Sequence, residues 1–481
     1  MNSDSTFSVV IVGGGFCGVM SLINIINKTD KMADITLINK GYPLARGVAY
    51  KTYSDLHLLN VETKNMSAFH DQSDHFLQWC LNQKDIHIGK EELPFTFLPR
   101  NVYGRYLDEI FEEKIKNLPE NISLEIIDDE VTDIDKYNQQ FIVRTSSGKN
   151  IPADKILLAT GNSEPCSPIL TNPAFLKSKN YFSNPWSEKA ILGLQDHQTT
   201  LIIGTGLTMV DVIIGLREND FNGKIIALSP HGYNILPHRE MPPQRYILDE
   251  LSPPYNLENL FRLFYKHIRE SRKRGLSGET VVDAIRAKTQ EIWQLLTLDD
   301  KKKFMTHLRH LWGVARHRLP ANVHQQIQQL IKEEKLEVIA GRIRKIAECE
   351  NGIEIKIRKR KDQSELILKV ARIINCTGPE TDIRKQKSSL FDALLKKGIA
   401  RPDVMNLGID ATADGQVIDE NNIISNQIFA IGSLLKGKLW ESTAIHELRI
   451  QAYRVAELIL KDAGKKMSNV EMQTANQESD S

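Results

Sequence analysis

Two stretches carry glycines at spacings that matter for chemistry. VVIVGGGFCG, residues 9–18, places Gly13, Gly15 and Gly18 as G-x-G-x-x-G directly after an apolar, β-branched run. In that context Gly13 permits a tight turn, Gly15 lets backbone approach a pyrophosphate, and Gly18 lets helix and strand pack closely. The helix that follows then presents unpaired N–H groups to phosphate oxygens. Phe16 and Cys17 complete this loop. LIIGTGLTMVD, residues 201–211, repeats the arrangement with Gly204, Thr205, Gly206 and Leu207, but Met209 stands where a third glycine belongs. The turn and approach positions survive, so a second dinucleotide fits. A remnant of domain duplication is the alternative.

The residues ending the next strand in each unit should grip the ribose. After the first loop that strand, ITLINK, ends in Asn39 followed by Lys40. Asparagine bonds a hydroxyl without the usual negative charge. After the second loop the strand ends in Ser229, with His231 two residues on and no acid. An acid there would favour NAD and repel a 2′-phosphate. The reading is therefore NADPH, with NADH as the alternative. Two nested loops imply one tightly held flavin and one transient nicotinamide, with hydride passing from the second to the first.

Other clusters carry weaker signals. In HLRHLWGVARHRLP, residues 307–320, Arg316 and His317 suit a substrate carboxylate or the 2′-phosphate. A structural helix docked on the first domain is the competing reading. RLFYKHIRESRKRG, residues 262–275, is basic with aromatics, and reads as a solvated helix face. No H-E-x-x-H, paired C-x-x-C or G-x-S-x-G occurs, so neither a metal site nor a nucleophilic serine is expected.

The elements that must position these residues follow from periodicity. Strand, glycine turn, helix and strand occupy the first forty residues. SLEIIDDEV, QFIVRTSSG and DKILLATG read as strands, with a hairpin across Arg144–Pro152. A second strand–turn–helix–strand unit begins at Thr200. Residues 255–335 are helical in pattern. EVIAGRIRKI, GIEIKIRK and ARIINCTG return to strands, and a final strand, NQIFAIG, leads into a helix. LLATG and INCTG both read as exit strands that end in small-residue turns, bracketing the middle third. The fold class is thus α/β: two nested Rossmann-like domains with a helical insertion. Residues 1–165 begin the first domain and 373–463 complete it. Residues 195–372 form the second, with the insertion at about 240–335, and 464–481 form a polar, disordered tail.

Bulk properties set the limits. Among 481 residues, 62 Lys plus Arg balance 61 Asp plus Glu, which argues against nucleic-acid or membrane partners. The five cysteines are scattered, which argues against a disulfide framework, a zinc cluster and a dithiol reductase and suits the cytoplasm. MNSDSTF carries no basic region before the short VVIV run, so no signal peptide is expected. The sequence leaves oligomeric state open.

The chain resembles the two-dinucleotide-binding-domain flavoproteins. Within them it is similar to bacterial FAD/NAD(P)-binding proteins related to flavin-containing and N-hydroxylating monooxygenases. The resemblance covers roughly residues 7–165, 198–235 and 370–455. It rests on VVIVGGGFCG, GVAYKTYSDLHLLNVETKNMSAF, LLATGN, LIIGTGLTMVD, INCTGP and IFAIGSLLKGKLWESTAIHELRIQA. It implies FAD on Gly13, Gly15 and Gly18, adenine against the backbone of Val131, and a domain crossover at Thr160 and Gly161. Gly432 and Ser433 would lie against the ribityl chain and phosphate. A helix starting near Ser442 would aim its N-terminus at the flavin pyrimidine. Two departures stand out: Asn39 and Ser433 replace the family's acids. LHLLNVETKNMSAF would lie nearest the flavin ring, making His57, Asn60 and Ser67 candidates to face it, with Asn60 placed to bond the reacting oxygen or position the nicotinamide. The implied activity is NAD(P)H-driven monooxygenation of a small molecule such as an amine. A flavin reductase or dehydrogenase, or a non-catalytic redox sensor, are the alternatives.

Overall fold

A computed structural model describes residues 6–41, 43–52, 54–138, 140–168, 173–238, 248, 251–350 and 352–461. The tail expected from 464 onward lies outside these residues, as does part of the insertion's start.

The strands in chain order are β1 (Phe7–Val12), β2 (Ala33–Asn39), β3 (Ile122–Asp128), β4 (Val131–Tyr137), β5 (Gln140–Thr145), β6 (Asn150–Ala153), β7 (Lys155–Leu158) and β8 (Tyr181–Phe182). They continue as β9 (Thr199–Ile203), β10 (Lys224–Ser229), β11 (Leu336–Cys349), β12 (Gly352–Lys359), β13 (Glu365–Val370), β14 (Arg372–Asn375), β15 (Gln416–Ile418) and β16 (Ile424–Ala430). Six helices concern the site: α1 (Phe16–Lys28), α2 (Arg100–Lys116), α3 (Leu207–Glu218), α4 (Leu257–Lys273), α5 (Arg309–Arg316) and α6 (Ile445–Lys461).

The first sheet has the order β15-β16-β7-β1-β2-β3 and the second β13-β12-β11-β10-β9-β14-β8. β4, β5 and β6 form a separate antiparallel sheet. In each large sheet the order reverses beside the strand that feeds a glycine turn: between β1 and β7, and between β9 and β14. Ligands bind α/β sheets at such switch points, outside the strands' carboxyl ends. The central strands read as continuous apolar runs because both faces are covered. Val9 and Ile11 of β1 and Leu201 and Ile202 of β9 are all fully buried. α1 and α6 pack on one face of the first sheet, and their Leu22, Ile23, Ile25, Ala452, Val455 and Ile459 share one core with it. Each such aliphatic side chain contributes about 1.5–3 kcal/mol on burial.

The nested topology matches the expectation, with two boundary corrections. β8 joins residues 181–182 to the second sheet, ahead of the break expected at 195. β14 pairs with β9 as far as Asn375, so the break expected at 372/373 cuts a strand. SLEIIDDEV also divides, because β3 ends at Asp128 and β4 begins at Val131.

The helical insertion is fastened to the first domain rather than left projecting. Trp293 stacks on Trp440 with ring centroids 4.8 Å apart. Its indole N–H donates to the Gly437 carbonyl at 2.8 Å. Among the described residues, no helix is long and apolar enough to cross a membrane.

Candidate functional site

The first glycine turn is fixed from three sides. The Gly13 N–H donates to the Ile38 carbonyl at 2.8 Å, and the Ala159 N–H to the Val12 carbonyl at 2.8 Å. Gly13 has φ +108°, and a Cβ there would clash with the Ala159 carbonyl oxygen. A Cβ on Gly18 would clash with the Gly13 carbonyl. Gly15 differs: its Cβ would meet only the Gly47 Cα, at 3.6 Å. That space lies above the start of α1, whose N-cap is Gly15 itself and carries no side-chain cap. The first-turn N–H groups, on Phe16, Cys17 and Gly18, therefore face a cradle that fits a pyrophosphate.

The second turn reproduces this geometry. The Gly204 N–H donates to the Leu228 carbonyl at 2.8 Å, and the Cys376 N–H to the Ile203 carbonyl at 2.7 Å. Gly204 has φ +111°, and its Cβ would clash with the Cys376 carbonyl. Gly206 caps α3 without a side-chain bond, and nothing lies within 4 Å of its Cβ position. Met209 is buried in the core, and its N–H bonds the Gly206 carbonyl at 3.0 Å. The third glycine's replacement thus alters packing behind the turn and leaves the cradle open.

The remaining first-site residues gather at the same strand ends. Asn39 Oδ1 accepts from the Gly14 N–H at 3.0 Å, so this side chain organises the turn. Lys40 pairs with Glu130, next to the buried Val131. Ser433 Oγ donates to the Gly161 carbonyl at 2.6 Å, joining the C-terminal motif to the crossover after Thr160. A Cβ on Gly432 would approach Cys17 Sγ to 3.2 Å, so this glycine and the first turn nearly touch. Ser442 requires correction. α6 begins at Ile445, and the fully buried Ser442 donates to the Gly432 carbonyl at 2.6 Å. It ties the helix approach to the glycine turn and is not the helix start.

His57 is also corrected. It is fully buried, and its Nε2–H donates to the Asp211 carbonyl at 2.9 Å, while Nδ1 faces the Thr52 hydroxyl. Burial holds its pKa below the ordinary histidine value. Nε2 ties His57 to the second domain and Nδ1 ties it to its own loop, so both ring nitrogens are engaged within the protein. Asp211, the last residue of the quoted second loop, also takes an ion pair from Arg100 at 2.8 Å. Arg100 Nε in turn donates to the Leu58 carbonyl at 3.1 Å. Arg100, His57 and Asp211 therefore clasp the first domain to the first turns of α3. Asn60 lines a narrow gap in this seam with Arg100, Leu207 and Asp211, and its carbonyl accepts from His238 at 3.0 Å. Ser67 is fully buried, with Oγ donating to the Gln72 carbonyl at 2.5 Å. That is an internal role.

Around Ser229 the structure assembles a cationic cluster. Thr205 Oγ1 donates to Ser229 Oγ at 3.0 Å, and Ser229 Oγ accepts from the Gly232 N–H at 2.9 Å. His231 contacts Arg360 and lies 4.6 Å from the His310 ring. Arg309 reaches His310 at 3.2 Å. Burial, then Arg360, Arg342 and Arg309, push the His231 pKa down. Burial, then Arg309 and His231, bring His310 to about 4. Among the described residues no carboxylate forms an ion pair with Arg309, Arg342 or Arg360. Such a cluster beside a dinucleotide turn fits the 2′-phosphate of NADPH.

Arg316 is corrected on the same ground. Its Nε bonds Glu441 at 3.0 Å, and Trp312 Nε1 bonds the other oxygen of that carboxylate. It docks α5 on the first domain. His317 stays solvent-accessible, with Nδ1 bonded to the Gly313 carbonyl at 3.2 Å. The crowded cleft around it holds its pKa below the ordinary value.

The sequence placed Arg309 and His310 in the 307–320 cluster but singled out Arg316 and His317 instead, and it missed Arg342, Arg360 and the Arg100–Asp211 clasp. The arginines come from α5, β11 and the turn after β12, so no local spacing links them. Asp211 was visible in the quoted motif, but its partner lies 111 residues away.

Residues 10–163 match the protein-family model described as FAD-NAD(P)-binding. Among solved structures, the ornithine N-hydroxylase of Kutzneria sp. 744 has a TM-score of 0.63 at 12% identity, covering 95% of this chain and 99% of that one. The fold is that of the two-domain dinucleotide-binding flavoproteins. L-lysine 6-monooxygenase from Pseudomonas syringae gives 0.63 at 14% identity, over 94% and 99% of the two chains. The cadaverine monooxygenase of Erwinia amylovora, bound to FAD, gives 0.63 at 13%, over 96% of each. No curated protein matches the sequence.

Proposed function

We propose that this chain is an FAD-dependent, NADPH-using oxidoreductase that monooxygenates a small molecule, with an amine as the first substrate class to test. The observation that carries the reading is the pair of glycine turns with open cradles at two switch points, clasped together through Arg100, His57 and Asp211. When bound, the flavin would supply hydride acceptance from the nicotinamide and transfer of one dioxygen atom to the substrate.

Each group on this chain then has a task. The α1 N-terminus and Gly15 hold the flavin pyrophosphate, Lys40 and Val131 border the adenine, and Gly161, Gly432 and Ser433 border the ribityl side. The α3 N-terminus, Thr205, Gly206 and Leu207 hold the nicotinamide dinucleotide. Ser229 and His231, with Arg309, Arg342 and Arg360, select its 2′-phosphate. Asn60 sits in the seam between the two cradles, where an amide orients the nicotinamide. His317 is the substrate-side group: its Nδ1 is spoken for, which leaves Nε2 to take a proton from an ammonium. The similar structures named above act on ornithine, lysine and cadaverine, and the absence of a C-x-x-C pair removes the dithiol alternative.

The test is NADPH-driven oxygen uptake with a panel of amino acids and diamines, read alongside hydroxylamine formation. Product formation coupled to NADPH oxidation supports the monooxygenase. NADPH oxidation with no oxygenated product across amines, sulfides and ketones would leave a plain reductase.

A further inference from the structure

The basic stretch 262–275 forms most of α4, and the structure shows which side its aromatics take. Asn256 caps the helix, accepting from the Glu258 N–H at 2.9 Å and the Asn259 N–H at 3.3 Å. Leu260, His267 and Ser271 turn inward. Phe261 and Tyr265, one turn apart, point outward and are 53% and 59% exposed. Arg262, Lys266, Arg269, Arg272 and Lys273 are exposed on the same outer half. At 100° per residue the two rings and Arg272 form one stripe, and Arg262, Lys266, Arg269 and Lys273 form a second stripe beside it. The Arg269 guanidinium lies 5.8 Å from the Tyr265 ring centre. Glu258, which pairs with Arg262, is the exposed acid at the helix start.

We propose that this face of α4 docks on an anionic lipid surface. Exposed aromatic rings beside an adjoining cationic stripe suit a helix lying in the membrane interface: the rings enter the headgroup boundary and the cations meet lipid phosphates. Nucleic acid is less well matched, because four of the five cations lie to one side of the rings instead of alternating with them along a strand path. The near-zero charge of the whole chain conceals this face by averaging, which is why composition argued against any membrane partner. The proposal is independent of the redox chemistry.

The test is co-sedimentation of the full-length protein with phosphatidylcholine vesicles, with and without phosphatidylglycerol at about a third of the lipid. Salt-sensitive binding to the anionic vesicles alone is expected. Arg269→Gln/Arg272→Gln/Lys273→Gln should weaken it on the order of a hundredfold. Phe261→Ser/Tyr265→Ser should weaken it about tenfold or more. All five positions are exposed, so circular dichroism and flavin content should stay unchanged. Failure to bind anionic vesicles overturns the proposal, as does unaltered binding by both variants. Tighter binding of a single-stranded oligonucleotide or of polyglutamate through the same residues would also overturn it.

Discussion

A methyl group on Gly206 would meet nothing within 4 Å, yet it would stand where the backbone must approach a phosphate. Gly206→Ala is therefore expected to fold and to carry its flavin normally, while NADP⁺ binding in a titration weakens about tenfold or more. Gly13→Ala should behave oppositely, because its Cβ clashes with backbone at a positive φ. At the 2′-phosphate cluster, Arg360→Ala and Arg309→Ala should each cost about 1.5–3 kcal/mol of NADP⁺ affinity, with NAD⁺ affinity unchanged. Binding of 2′,5′-ADP reads this without turnover, and equal losses for both nucleotides would refute the assignment. The glycine turns were legible in the sequence because strand, motif and helix fall within about thirty residues, although Ala159 and Cys376 complete each turn from afar. His57 was misplaced because full burial, and its bond to a carbonyl 154 residues away, are tertiary facts.

At the scale of elements, the joint between α3 and the segment before α2 sets how the two cradles face each other. The Arg100 and Asp211 side chains are 14% and 8% exposed, so removing one partner strands a charge out of water. That costs about 3–5 kcal/mol. Asp211→Asn is expected to lower the thermal unfolding midpoint and to slow flavin reduction at saturating NADPH, while flavin content per chain is retained. Unaltered reduction kinetics would show that the clasp serves stability alone. The α/β class with two nested glycine-turn units followed from the repeated strand–turn–helix pattern; the strand order within each sheet did not. Docking of residues 307–320 on the first domain was one of the two readings, but its partners were not legible, because Trp293, Trp312 and Arg316 meet residues 437–441, more than a hundred positions away. Periodicity reports which residues form a helix; it carries no information on what that helix packs against.

Across the whole molecule, histidines dominate the pH response near neutrality. Burial lowers the pKa of His57, His75, His231, His238, His310, His317, His324 and His446 below 6.5. The unfolded chain takes up these protons as pH falls through about 6.5, before the folded chain does. Stability is therefore fully present above that pH and declines below it. Thermal midpoints recorded from about pH 8 to pH 5 should fall progressively in the lower half of that range. A flat profile would contradict the lowered pKa values of these rings. Carboxylates held low by partners, such as Asp382 beside Arg384, add their share only at more acid pH.

Two glycine turns holding two cofactors in communication make the bound flavin reducible by NADPH. The visible spectrum of the purified protein, recorded without oxygen before and after NADPH, reads this: an oxidised flavin spectrum should bleach on NADPH addition. A flavin that stays oxidised with both NADPH and NADH would contradict it, and would make the turn at Gly204 and Gly206 a relic of duplication.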